Sequence, residues 1–290
     1  MPIGLAGDRR HGTIRAMTEQ AERYDRIADG YARWWGPIIA PAAVGVLDQV
    51  EDVVAAGATR LLDVGTGTGV LAIAAVRRWP GVHVTAIDAS SGMIAKAASR
   101  ADAELTQEQR RRLTLQVAFA DDLRLPDGSF DAAISSFVLQ LVPSRHHALR
   151  EARRVLRKDG VMAWISWLAG SGPWLPDDDF DDALEDVDEE PRDWDDDGPE
   201  HDLRDERTAA AQMRRAGFAD VRTHAGSLVH AFDVEGAIGF LTEFDEEDLV
   251  ASLGDRRPAF EAALRRRLAR RPPHDLHLYN RTVTVRGVRR

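Results

Sequence analysis

Apolar residues recur along this chain at two different periods, and the switches between them mark out its elements. Over Ala16–Trp35 and again over Pro37–Ala56 the spacing is helical. Arg60–Val64 is an apolar run of strand length, and Gly69–Arg78 is an apolar helix. Val82–Ile87 alternates as a strand does and leads into a helix from Ser91 to about Ala103. Leu113–Ala118 and Phe130–Phe137 predict a third and a fourth strand. Ser144 is placed to cap a helix over His146–Arg157, with Lys158-Asp159-Gly160 as its stop, and Val161–Trp167 is a fifth strand. This alternation predicts a mostly parallel sheet with helices on both faces, an α/β fold. Asp220–Leu228 and Tyr279–Val288 read as two late, hairpin-like strands, and Pro258–Arg271 as a C-terminal helix.

Charge changes this picture in one place. Asp177–Glu206 holds 18 acids against Arg192 and Arg204; the whole chain carries −10, so the remainder stands near +6. Phe180, Leu184 and Val187 are spaced like one face of a short helix inside that stretch. The expected organisation is therefore a helical cover over 1–56, a core formed by 57–167 and 207–290, and an acidic lid inserted at 168–206. At 290 residues the chain can hold one large domain with such an insertion. The negative balance disfavours nucleic acid, whose phosphates need Lys and Arg, and equally an anionic membrane surface. There is no cysteine, which removes disulfides, thiolate metal sites and a cysteine nucleophile, and suits a reducing compartment. No run approaches the roughly 20 apolar residues of a membrane span, and Met1–Met17 lacks the apolar stretch of a signal peptide. A cytoplasmic protein is expected.

Candidate chemistry begins at Leu61-Leu62-Asp63-Val64-Gly65-Thr66-Gly67-Thr68-Gly69. Glycines at 65 and 67 let the backbone turn tightly and approach a ligand where a Cβ would collide. A dinucleotide site would need G-x-G-x-x-G, and its last position here is Val70. The pattern thus favours a nucleotide-like ligand without a pyrophosphate. Asp88 ends the next strand, 23 residues past Gly65, where a carboxylate can accept hydrogen bonds from both hydroxyls of a ribose. Ala89 follows it, and Met93, one turn on, can cover a flat ring. After the third strand, Asp121 can accept from an exocyclic amine, and the backbone N–H of Leu123 can serve a ring nitrogen, with Asp122 beside them.

These elements resemble a class I S-adenosylmethionine-dependent methyltransferase of the ubiquinone/menaquinone-biosynthesis type, the broad "methyltransferase 11" group. The residues that carry the likeness are Leu61–Gly69, Ile87–Met93, Ala120–Asp131, Ser135–Val142 and Glu151–Gly160, with Tyr24–Tyr31 (YDRIADGY) matching the helix that covers the cofactor. The resemblance implies a Rossmann-like seven-stranded sheet whose last strand is antiparallel. It also implies S-adenosylmethionine as cofactor, with Asp63, Gly65, Thr66 and Gly67 around the methionine portion and Asp88 on the ribose. Asp121, Asp122 and Leu123 fall at the adenine, Ser135 or Ser136 near the reacting centre, and Tyr31 over the amino-acid tail.

Methyl transfer asks the protein to align a nucleophile behind an electrophilic methyl group, and positioning of that kind supplies roughly 7–11 kcal/mol. Relatives of this group carry His just after the fourth strand; here the stretch is Val138-Leu139-Gln140-Leu141, so no dedicated base is expected. His146 and Tyr24 are the substitutes the sequence offers. The Asn/Asp-Pro-Pro run of DNA amino-methylating enzymes and the fourth-strand acids of metal-dependent catechol-type enzymes are both missing, and no metal is expected. The reading is methyl transfer to the O or N of a small, aromatic or polycyclic acceptor in secondary metabolism, with rearrangement or decarboxylation on the same cofactor as the alternative. Trp167, Trp174, Phe180 and Trp194 are expected to face the acceptor from the lid while the lid's acids face water. A homodimer is allowed for; Arg265-Arg266-Arg267 and Arg270-Arg271 can pair with the acidic lid of the same or another subunit, but a solvated arginine face is the expectation.

Overall fold

In the computed structural model, which describes residues 19–192 and 203–290, seven strands form one sheet in the order β3-β2-β1-β4-β5-β7-β6. The strands are β1 (Arg60–Val64), β2 (His83–Asp88), β3 (Leu113–Val117), β4 (Phe130–Ser136), β5 (Leu156–Trp167), β6 (Ala219–Ala231) and β7 (His277–Val288). The four pairs from β3 to β5 run parallel, and β7 lies antiparallel between β5 and β6. Leu61, Leu62 and Val64 of β1 are fully buried because both faces of the parallel sheet are covered.

The helices that cover it are α1 (Gly36–Val44), α2 (Val70–Arg78), α3 (Ser91–Glu104), α4 (Arg145–Val155), α5 (Leu175–Glu185), α6 (Glu206–Arg215), α7 (Val234–Phe240) and α8 (Arg257–Leu268). One face of the sheet packs under α1 and α2 (Ile38, Leu71, Ile73, Val76), and this core continues into α5, α7 and α8. The opposite face packs under α4 and α6, through Leu149, Ala152, Val155, Ala209 and Met213.

The sequence pattern places the βαβα part well, and three differences have local causes. First, α4 ends at Val155, not Arg157: Leu156 already pairs with Phe130, and Asp159 turns left-handed (φ 63°) inside a bulge closed by Asp159 N–H to Arg289 O. Lys158-Asp159-Gly160 is thus a kink in a strand, not a helix stop. Second, β6 and β7 do pair antiparallel, but through the helical segment Phe232–Leu276 and not a tight turn. Third, the N-terminal region is one nearly continuous helical rod. It is helical over 19–26, π-type over Tyr31–Trp35 and 3₁₀-type over Gly45–Val50, with Pro41 inside α1. No helix among the described residues is long and apolar enough to cross a membrane.

Candidate cofactor site

The carboxyl ends of β1, β2, β3 and β4 open into one cleft with about 950 Å³ of empty space, solvent at its mouth included. Gly65, Thr66 and Gly67 form its floor, Asp88, Ala89 and Met93 one flank, and Phe119, Ala120 and Asp121 the far end. Tyr24 and Tyr31 close it from the N-terminal rod, and Ser136–Val138 with Leu141–Pro143 form the remaining wall. A ligand cleft at the carboxyl ends of strands, where order reverses from β1 to β4, is where open α/β sheets bind.

The floor is made by backbone geometry. Gly65 has φ 72°, and a Cβ there would lie 2.3 Å from Val138 Cγ2, so only glycine fits. Gly67 turns its N–H to Asp88 Oδ2 at 2.8 Å, while Asp88 Oδ1 accepts from Ser90 N–H at 3.0 Å. One carboxylate therefore fastens the glycine turn to the start of α3. Burial raises the Asp88 carboxyl above its ordinary range, against the hydrogen bonds that lower it. Asp63 sits beneath, fully buried; its Oδ2 accepts from Thr66 Oγ1 at 2.6 Å and its Oδ1 has no hydrogen-bond partner. Burial pushes Asp63 up to about 7.

At the far end Asp121 is raised by burial too, and its Oδ1 is buried without a donor. A buried acceptor left unmet costs about 1–3 kcal/mol, and Asp121 Oδ1, on the cleft wall, is placed to meet an N–H group of a ligand. The donor set matches S-adenosylmethionine, which brings an ammonium, a ribose and an exocyclic amine. Its sulfonium supplies an electrophilic methyl group when bound.

Of the residues expected at this site, Tyr31, Gly65, Thr66, Gly67, Asp88, Ala89, Met93, Asp121 and Ser136 are brought together around the cleft, with Asp63 under its floor. Four expectations are corrected. Ser135 Oγ donates to Val64 O at 2.8 Å, joining β4 to β1 inside the sheet. The Leu123 N–H is taken by Glu151 Oε2 at 3.0 Å, and Asp122 faces outward beside Arg124, so neither serves a ring nitrogen. His146 lies outside the cleft, on a second cavity with Gln140, Arg145 and Gln212, because α4 starts on the outer side of the 139–143 loop. Tyr24 lines the cleft, but burial pushes its phenol up to about 12, so it keeps its proton at neutral pH and does not serve as a base.

The wall residues Phe137, Val138, Leu141, Val142 and Pro143 went unforeseen, because an apolar run after a strand reads as core. Phe137 departs from ordinary backbone geometry, with φ 54°, and stacks on Trp167 with centroids 4.0 Å apart. Trp35, Phe240 and Phe244 continue these rings into the insertion between β6 and β7. Of the expected lid aromatics, Trp167 stacks on the wall residue Phe137, and Trp174 and Phe180 turn elsewhere. Trp174 is buried on Phe232 and Phe240 and donates to Leu276 O; Phe180 packs on Phe260 of α8; Trp194 lies outside the described residues. Of the arginines of the C-terminal helix, Arg265, Arg266 and Arg270 are exposed as expected, whereas Arg267 pairs with Asp182 and Asp186, and Arg271 with Asp179.

A family model described as a methyltransferase domain matches residues 61–160, the stretch from β1 into the β5 bulge that builds this cleft. Residues 61–160 are a class I S-adenosylmethionine-dependent methyltransferase domain. Over that stretch the sequence is similar to methyltransferases of the ubiquinone-biosynthesis type. The chain is 39% identical over 113 residues to a malonyl-[acyl-carrier protein] O-methyltransferase of Geobacter sulfurreducens, covering 39% of each. It is 37% identical over 123 residues to the ubiquinone/menaquinone biosynthesis C-methyltransferase UbiE of Citrifermentans bemidjiense, covering 41% of this chain and 49% of that one. The chain thus spans less than half the length of these curated relatives. Its fold is similar to that of the [4+2]-cyclase SpnF (TM-score 0.53, 21% identity, 85% of this chain and 81% of that one). It is equally similar to YcgJ of Bacillus subtilis (0.53, 20%, 83% and 97%). The cofactor of this methyltransferase domain is S-adenosylmethionine.

Proposed function

We propose that the whole chain is a methyltransferase that passes the methyl group of S-adenosylmethionine to an O or N atom of a small, apolar-bodied acceptor. The observation that carries this reading is the glycine-floored cleft with Asp88 on its flank and, at its far end, Asp121, whose Oδ1 is buried without a partner. Asp63 and the 65–67 turn hold the methionine portion, Asp88 the ribose and Asp121 the adenine amine. The acceptor enters between the Phe137–Val138 wall and the Tyr24–Tyr31 cover, and its apolar body packs on Phe137, Leu141 and Val142. Both phenols are protonated at neutral pH, since burial raises each. The acceptor therefore brings its own lone pair, as an amine or an ionised hydroxyl does, and the protein contributes alignment and exclusion of water. A charge of −10 suits an acceptor that is not a polyanion.

Calorimetry with S-adenosylmethionine, S-adenosylhomocysteine and NAD tests the cofactor half of this reading, and NAD as the tight ligand would overturn it. Release of S-adenosylhomocysteine against a panel of amines, phenols and quinols then reports the acceptor. Carbon methylation in that panel would move the chain toward the chemistry named for the C-methyltransferase relative. Tight cofactor binding with turnover of a metabolite but no S-adenosylhomocysteine would favour rearrangement or decarboxylation instead.

A further inference from the structure

The helical rod that covers the cleft is fastened at a point outside it. Tyr24 and Tyr31 face the cleft with their rings edge to face at 5.9 Å. Asp25, next in the chain, turns to α3: its Oδ1 accepts from Ser90 Oγ at 2.5 Å and from the backbone N–H of Gly92 at 2.7 Å. Ser90 is the N-cap of α3, accepting from Met93 N–H, and its own N–H donates to Asp88. One serine therefore joins the ribose-side carboxylate to the cover. The approach is close enough to demand glycine on the receiving side. A Cβ at Gly92 would lie 3.1 Å from Asp25 Oδ1 and 3.2 Å from its Cα. One turn further along both elements, Lys96 pairs with Asp29. On its other side the rod meets the segment after α7, where Phe244 packs on the Tyr31 ring.

We propose that Asp25 is a positioning residue whose carboxylate latches the Tyr24–Tyr31 cover to the N-terminus of α3, so that cofactor capture and release require this contact to open. The proposal rests on the cleft being the S-adenosylmethionine site. A carboxylate suits the task, because the first N–H groups of a helix have no intrahelical acceptor and the helix end favours negative charge. The same hydrogen bonds hold Asp25 below the usual carboxylate range, so it stays ionised. Asp25 is exposed, so the contact can break without opening the core.

The test measures dissociation of labelled S-adenosylhomocysteine from the full chain under excess unlabelled ligand, for wild type, D25A, D25N and G92A. D25A should raise the dissociation rate at least tenfold, since it removes the charge-assisted hydrogen bonds from both Ser90 and Gly92. D25N, which keeps one acceptor oxygen, should lie between it and wild type. G92A removes the room for the latch while giving α3 a better helix former, so it should speed release with no fall in Tm. Bound cofactor should shield Arg23 and Arg26 from trypsin in wild type and fail to do so in D25A. A merely structural Asp25 would lower Tm and leave the rates and the cleavage pattern alone, and that result overturns the latch. Unchanged rates in both D25A and G92A overturn it as well. If wild type binds no cofactor, the reading of the cleft falls and the latch with it.

Discussion

Two sets of carboxylates in this molecule are handled in opposite ways. Asp63, Asp88 and Asp121, at the ends of the first three strands, are fully or partly buried and have no Lys or Arg in ion-pair contact among the described residues. Asp179, Asp182 and Asp186 on α5 each meet an arginine from α8 or just beyond it, and Arg192, 8% exposed, gathers Asp181 at 2.7 Å and Glu246 at 3.0 Å. The acidic helix is thus neutralised from within the chain and docked as part of a helical layer with α7 and α8. The acids of the cleft and its floor have no such cation beside them, and burial raises each of them. Within the stretch Asp177–Glu206, which carries a net −16, Asp177, Asp179, Asp181, Asp182, Asp186 and Glu189 meet arginines of the same chain, and the three cleft acids sit elsewhere.

The sharpest way to break this contrast is Gly65→Ala. A methyl group 2.3 Å from Val138 at φ 72° must displace the floor of the cleft, and cofactor affinity should fall more than a hundredfold, about 3 kcal/mol, by calorimetry. Next is Arg192→Met, which leaves Asp181 and Glu246 facing each other without their cation. Stability to urea should drop by about 3 kcal/mol, with cofactor affinity changed by less than about twofold. A large loss of cofactor affinity in that variant would show that the two regions are not separable.

The pH dependence sharpens the comparison further. Asp63 has its folded pKa raised to about 7, so in the empty protein its contribution to stability is full below the unfolded carboxylate value and is lost as pH rises through about 7. A cationic ligand needs the ionised form. Affinity for S-adenosylmethionine should therefore rise about tenfold from about pH 6 to about pH 8, with proton release on binding, seen by calorimetry in buffers of different ionisation enthalpy. Asp63→Asn should flatten that slope. The smallest effect belongs to Arg267→Ala, which opens half-exposed pairs to Asp182 and Asp186 and should cost under about 1 kcal/mol, less in high salt.

The latch, the wall and the acidic helix differ from the glycine turn in how far they could be read beforehand. Gly65, Gly67, Asp88 and Asp121 were legible because each lies at a fixed distance from a strand end, and the strand ends follow from apolar periodicity. Ser135 and Ser136 were not separable in the same way. Adjacent residues on a strand point to opposite faces, and only pairing with β1 decided that Ser135 turns inward to Val64 while Ser136 meets the cleft. Trp174 and Phe180 carry no mark that distinguishes a core ring from one facing a ligand, and the packing of α5 on α8 buried both.

The sequence by itself determined the α/β sheet, the glycine floor, the strand-end acids Asp88 and Asp121 and the helix bearing Tyr24 and Tyr31, since these rest on local period and spacing. Tertiary structure alone decided which acids are left without cations, where the cover is fastened, and that His146 stands outside the cleft. Those outcomes depend on contacts between segments far apart in the chain, such as Asp25 with Gly92 and Asp182 with Arg267, and no local pattern encodes them.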